Sequence, residues 1–231
     1  MASNAQLSLN IQLRDDATFD NFYTVEGLQP LLMNLQHQTE QGGEALIYLY
    51  GAQDTGKSHL LQGACHQTSA SALYLPLAEL RQYPPADVLQ GVESAQLLCL
   101  DDIDVVLGDS DWETELFHLF NRARDRGCRL LVSGAAAPRA LSLDLADLRS
   151  RLSWGIVYQM AHYGDEDLEM ILQYRAQRRG LPLPPEVARY IVLRAPRSLG
   201  PLLDLLDTLD QASLAQQRAL SIPFVRQVLD W

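Results

Sequence analysis

The stretch Gly51–Ser58, "GAQDTGKS", fits G-x-x-x-x-G-K-S. It sits between an apolar, β-rich run, "ALIYLYG" from Ala45 to Gly51, and a helical pattern from about Lys57 to Thr68. That context constrains the fold strongly, because the run has to be a buried strand and the helix has to start where its free backbone N–H groups meet an anion. Backbone groups of Gly51, Ala52, Gln53, Asp54, Thr55, Gly56 and Lys57 then cradle phosphates. Lys57 neutralises the outer phosphates, and the Ser58 hydroxyl holds Mg²⁺.

The same alternation continues along the chain. Strand "SALYLPL" is followed by a loop at Pro84-Pro85, strand "AQLLCLDDID", a helix around "WETELFHLFNRARDRG" and strand "CRLLVSG". Upstream, "LQPLLMNLQHQTEQGG" reads as a helix ending at Gly42-Gly43. Helices alternating with continuous apolar strands predict a three-layer α/β domain around a parallel sheet. From Gly164 the strands cease, and helical segments follow, the last with Ser221 as cap and Pro223 in its first turn. The expected organisation is a flexible tail over 1–17, an α/β nucleotide-binding core over 18–180 and a small all-helical lid over 181–231. With 231 residues, 47% of them hydrophobic, the chain can bury such a core.

"LLCLDD" ends a buried strand in Asp101 and Asp102, at the sheet edge where open α/β folds place their ligands. Asp101 would hold Mg²⁺, mostly through water, and Asp102 would orient an attacking water. The alternative is that the two acids cap the next helix. Strand "RLLVSG" brings Ser133 to the same edge, either to sense a terminal phosphate or as ordinary turn chemistry.

Other classes are disfavoured. Cys65, Cys99 and Cys128 are odd in number and lack C-x-x-C spacing, so they read as small buried hydrophobes. The five histidines have no metal-ligand spacing. No apolar run suits a membrane span or a secretory leader, which makes the cytoplasm the expected location. A net charge of -11 repels nucleic acid, so contact with DNA would be indirect. The run Arg122, Arg124, Arg126 is interleaved with Asp125, as on a solvated helix face.

From about Thr18 the chain resembles the AAA+ ATPase module of the bacterial replication initiator DnaA. The likeness rests on "TFDNF", "YGAQDTGKSHLLQGA", "LLCLDDID" and "SRLSWGIVYQM". The chain stops after the lid, before any helix-turn-helix. Together with "QLSLNI" in the tail, and "LDQAS" and "IPFVRQVL" in the lid, this makes it similar to the DnaA-related regulators that inactivate the initiator.

The resemblance implies a negative regulator of replication initiation. Gln6, Leu7, Ser8, Leu9 and Ile11 resemble the peptide that docks on the sliding clamp, the β subunit of the DNA polymerase; otherwise they form a plain leader. Arg151 matches the arginine finger that one module inserts in trans into its neighbour's nucleotide site, or else makes an intramolecular salt bridge. The lid arginine expected to meet phosphates falls at Gly200, which leaves Arg197 as its substitute through a shifted helix start. Bound ADP, or ATP, with Mg²⁺ would then be mainly a structural ligand, with slow or absent self-hydrolysis and stimulation of hydrolysis by DnaA. Self-association into a homo-oligomer is expected of such modules. The alternative is a stand-alone AAA+ ATPase or helicase loader.

Overall fold

The computed structural model describes residues 12–38, 40, 42–68 and 71–231, which form two compact units parting between Ala161 and His162. The first unit begins with helix α1 (Gln29–His37), strand β1 (Leu46–Gly51), helix α2 (Lys57–Gln67) and strand β2 (Ala72–Pro76). Short helices α3 (Leu77–Leu80) and α4 (Pro85–Leu89) lead to strand β3 (Leu97–Asp101) and helix α5 (Ser110–Arg126). Strand β4 (Arg129–Gly134), helix α6 (Ala146–Leu152) and strand β5 (Ile156–Met160) complete it. All pairings are parallel, in the order β2-β3-β4-β1-β5.

The continuous apolar runs are explained by burial on both faces. Tyr48, Leu98, Leu100 and Val132 pack on one side against Leu116, Leu119 and Phe120 of α5. Their neighbours Ile47, Leu49, Leu97 and Leu131 pack on the other against Leu60, Leu61 and Leu35 from α2 and α1. Alternate residues thus serve opposite layers, as the period of a strand demands. All three cysteines are buried and free, with Cys65 and Cys99 in sulfur contact at 3.5 Å.

Helix α5 carries its own start and stop signals. Asp109 caps it by accepting from the N–H groups of Asp111 and Trp112, and Gly127 ends it at φ 71°. Arg122 and Arg126 reach back to the buried Glu93, at 3.4 and 3.5 Å, so two of the three run arginines serve the fold.

Four expectations are corrected. Helix α1 stops at His37, because Gln38 turns inward to donate to the Leu130 carbonyl and Gly43 folds back against the carbonyls of His37 and Gln38. Strand β5 escaped the sequence reading, since this edge strand alternates partly buried and exposed residues until Met160. The tail boundary at 17 is too late: the Arg14 N–H donates to Gln62 Oε1 at 2.9 Å, and His66 and His59 bond the carbonyls of Arg14 and Thr18. Residues 12–18 therefore lie along α2.

The lid boundary at 181 is also too late. Helix α7 (Asp165–Arg178) belongs to the second unit, where it joins α8 (Pro185–Val192), α9 (Leu199–Gln216) and α10 (Ile222–Leu229). Leu168 and Leu172 of α7 pack in one cluster with Ile191, Leu206 and Phe224. Ser221 caps α10 by accepting from the Phe224 N–H, as the sequence predicts. Among the described residues no helix is long and apolar enough to cross a membrane.

Gly155, just before β5, has no room for a side chain, because a Cβ there would run into the Leu46 carbonyl. Gly155→Ala is expected to cost about 1–3 kcal/mol, read as a lower urea midpoint at unchanged slope. An unchanged midpoint would contradict the way β5 is laid against β1.

Candidate functional site

The loop after β1 is shaped from both ends. Gly51 stands opposite Met160 of β5, and a Cβ on it would strike the Met160 carbonyl. The first glycine of the motif is therefore fixed by strand packing as well as by the loop. Asp54 at φ 60° and Gly56 at φ 90° then take left-handed backbone, where glycine alone is free of strain. Gly56 is the N-cap of α2, which has no side-chain cap of its own. Its first amides are thus available to an anion.

Lys57 is the only lysine in the chain. It is buried, and its Nζ donates to the carbonyls of Gly51 and Ala52 at 2.8 and 2.7 Å. Among the described residues no carboxylate lies within ion-pair distance of it. A buried ammonium held only by neutral oxygens fits an incoming phosphate, whose charge it can neutralise directly.

The second half of the site lies at the ends of β3 and β4. The Asp101 carboxylate, 3% exposed, accepts from the Tyr74 hydroxyl at 2.6 Å and from the Ser133 hydroxyl on its other oxygen. Ser133 in turn accepts from the Asp102 N–H at 2.8 Å. This bond holds Asp102 at φ 57°, ψ 54°, a left-handed conformation that aspartate tolerates better than most residues. Asp102 begins a short turn of helix without any side-chain capping bond, so its capping role is not observed.

Burial, then the charge of Asp101, raises the Asp102 pKa, with Lys57 opposing the shift. Burial and the same Asp101 carboxylate hold the Tyr74 phenol protonated far above its usual range, which keeps it a donor. The hard oxygens of Ser58 and Asp101 suit Mg²⁺. Among the described residues there is no cluster able to chelate a metal unaided, so the phosphates would have to supply the remaining ligands.

The arginines divide between the two units. Arg151, in the last turn of α6, is half-buried and has no carboxylate within ion-pair distance among the described residues, so the alternative of an intramolecular salt bridge is not observed. Its guanidinium lies 3.9 Å from the ring centre of Trp154. Arg149 donates to the Leu143 carbonyl at 2.9 Å.

Arg197 is exposed and pairs with Asp165 at 3.3 Å inside the second unit. It precedes Ser198, the N-cap of α9, so the helix start is not shifted to include it, and Gly200 lies within the first turn. Gln6, Leu7, Ser8, Leu9 and Ile11 lie outside the described residues. Sequence reasoning missed Tyr74, whose run looks like plain strand core and whose partner Asp101 is 27 positions away.

Residues 13–159 match the bacterial DnaA ATPase domain family, and residues 165–229 match the family described as Hda, lid domain. Domain III of the Thermotoga maritima replication initiation protein DnaA is 22% identical and superposes with a TM-score of 0.80, over 95% of this chain and 98% of that one. AMPPCP-bound DnaA from Aquifex aeolicus is 21% identical, with a TM-score of 0.75 over 88% of this chain and 68% of that one. The Thermotoga maritima RuvB Holliday junction branch migration motor is 17% identical, with a TM-score of 0.71 over 93% and 71%. These likenesses fix the fold as an AAA+ core with a helical lid domain.

The raised Asp102 pKa has a stability consequence. The folded protein keeps this proton at a pH where the unfolded chain has lost it, so the stability it contributes at low pH is lost as pH rises from 3.8 through the raised value. Asp102→Asn keeps a residue that tolerates left-handed backbone while removing the charge. Without nucleotide it is expected to melt above the parent protein at pH 7, by a margin that shrinks as the pH falls toward 3.8. A margin independent of pH would contradict the assignment.

Proposed function

The chain belongs to the bacterial DnaA ATPase domain family and carries an Hda-type lid domain, and from that premise we propose that it regulates replication initiation by acting on DnaA. In this reading the phosphate loop binds ADP or ATP with Mg²⁺, as a DnaA relative binds AMPPCP. Lys57 and the amides opening α2 hold the phosphates, while Ser58 and Asp101 face the metal. The bound nucleotide stabilises the folded module by mass action and keeps the AAA+ interface in shape.

The catalytic contribution is made in the partner's site. Among the described residues no carboxylate lies within ion-pair distance of Arg151, whose guanidinium rests on Trp154, and this is the observation that most supports the reading. Delivered across an AAA+ interface, a guanidinium offsets charge developing on the transferring phosphoryl group, an effect on the order of 10³ to 10⁵ in rate for such fingers. DnaA would thereby be converted to its inactive ADP form. Gln6, Leu7, Ser8, Leu9 and Ile11 would tether the chain to the DNA-loaded sliding clamp, filling apolar subsites with an extended peptide. The net charge of -11 suits contact with DNA through the clamp rather than directly.

A second reading, a stand-alone ATPase, is favoured by the network joining Asp101, Ser133 and Asp102. The two readings separate when ATP pre-bound to DnaA is followed with this chain added, with and without DNA-loaded clamp. Acceleration that requires the clamp is expected, together with negligible turnover by the isolated chain. Fast turnover of free ATP with no effect on DnaA would replace the first reading by the second.

Two variants divide the roles. Arg151→Ala is expected to keep clamp binding and lose stimulation by about 10³-fold or more. Gln6→Ala with Leu7→Ala is expected to lose clamp affinity, measured by surface plasmon resonance. Unchanged affinity would mean that the tail is not the tether.

A further inference from the structure

Arg151 is held in an unusual way for a buried-side guanidinium. Its Nε is buried with no hydrogen-bond acceptor, and its charged end rests on aromatic rings, 3.9 Å from the centre of Trp154 and 5.5 Å from that of Phe117. Arg124 approaches the same indole at 5.2 Å while its own nearest carboxylate, Asp125, is 3.4 Å away. Trp154 is half-exposed, and with both guanidiniums it forms a cationic patch around one ring.

An aromatic face restrains a cation without saturating it. A carboxylate in the same place would fix Arg151 equally well but would neutralise the charge and occupy the planar donor fork that phosphate oxygens need. A cation–π contact attracts the guanidinium without supplying an opposing charge.

The platform beneath Arg151 is fixed too. Helix α6 has seven residues and no side-chain cap at Leu145, so its position depends on how the segment that leads into it is held. Glu113 of α5, 2% exposed, holds that segment. Its carboxylate accepts from Asp144 N–H at 3.0 Å, Leu145 N–H at 2.7 Å and Gly108 N–H at 2.8 Å. Phe117 follows Glu113 by one helical turn, so a single face of α5 fixes the start of α6 and touches the arginine at its end.

We propose that Trp154 is a positioning residue for Arg151, its indole holding the guanidinium in a delivery-ready direction with the charge unneutralised. This rests on the reading of Arg151 as the residue that acts in the partner's site.

The test measures hydrolysis of DnaA-bound ATP on DNA-loaded clamp over a range of concentrations of the full chain, for the parent, Arg151→Ala, Trp154→Phe and Trp154→Ala. Trp154→Ala is expected to lower the maximal rate about three- to thirty-fold, the range spanned by exposed to desolvated cation–π contacts, with the half-maximal concentration unchanged. Trp154→Phe is expected to recover most of that loss. A full maximal rate in Trp154→Ala, or a change confined to the half-maximal concentration, would overturn the proposal while Arg151→Ala still loses stimulation. Stimulation that survives Arg151→Ala would instead overturn the finger reading, and the proposal with it.

A readout without the partner checks the geometry itself. In the isolated chain the Arg151 Nε–H resonance, assigned by its absence from Arg151→Ala, is expected to be displaced by the indole ring current and to return toward the free-arginine position in Trp154→Ala. A resonance already at that position in the parent protein would overturn the proposal.

Discussion

A buried ammonium is costly unless oxygens surround it, and the sole lysine of this chain meets that demand with the carbonyls of its own phosphate loop. The bonds to Gly51 and Ala52 draw the loop over the start of α2 and join the end of β1 to the helix that follows. Gly51 cannot move away, because Met160 of the edge strand is packed against it. The position of the lysine thus depends on the sheet order, in which β1 lies between β4 and β5. Its field also reaches Asp102, where it partly counteracts the burial that favours the protonated acid.

The two ends of the first unit serve different tasks through the same design. At the sheet edge, hydroxyls of Tyr74 and Ser133 each donate to one oxygen of the Asp101 carboxylate, so an acid that would otherwise be buried and bare is hydrogen-bonded on both oxygens. Elsewhere in the unit, α5 uses a buried glutamate to hold the segment leading into α6 and an aromatic residue to touch Arg151.

Much of this was legible in the sequence, for definite reasons. The phosphate loop reads clearly because spacing, strand and helix agree locally, and the doubly buried strands read clearly because both faces demand apolar residues. Strand β5 was missed because an edge strand alternates, and "GIVYQM" carries no period strong enough to separate it from a loop. The lid boundary was misplaced because the apolar face of α7 reveals that it packs, not against which core. Tyr74 and Glu113 were invisible for a related reason: their partners lie 27 and 31 or 32 positions along the chain, and no local pattern encodes such a bond. A shifted helix start would bring Arg197 into α9, yet the N-cap position falls at Ser198 and leaves Arg197 outside the helix.

The most direct test of the account is a titration of Mg²⁺-ADP into the full chain with its lysine carbon-labelled, because Lys57 then gives a single Cε resonance. That resonance is expected to move saturably as the ammonium exchanges loop carbonyls for phosphate oxygens, while the isolated chain turns over little ATP. A Lys57 signal unmoved at saturating nucleotide would contradict the claim that this buried cation is the phosphate anchor on which the module is built.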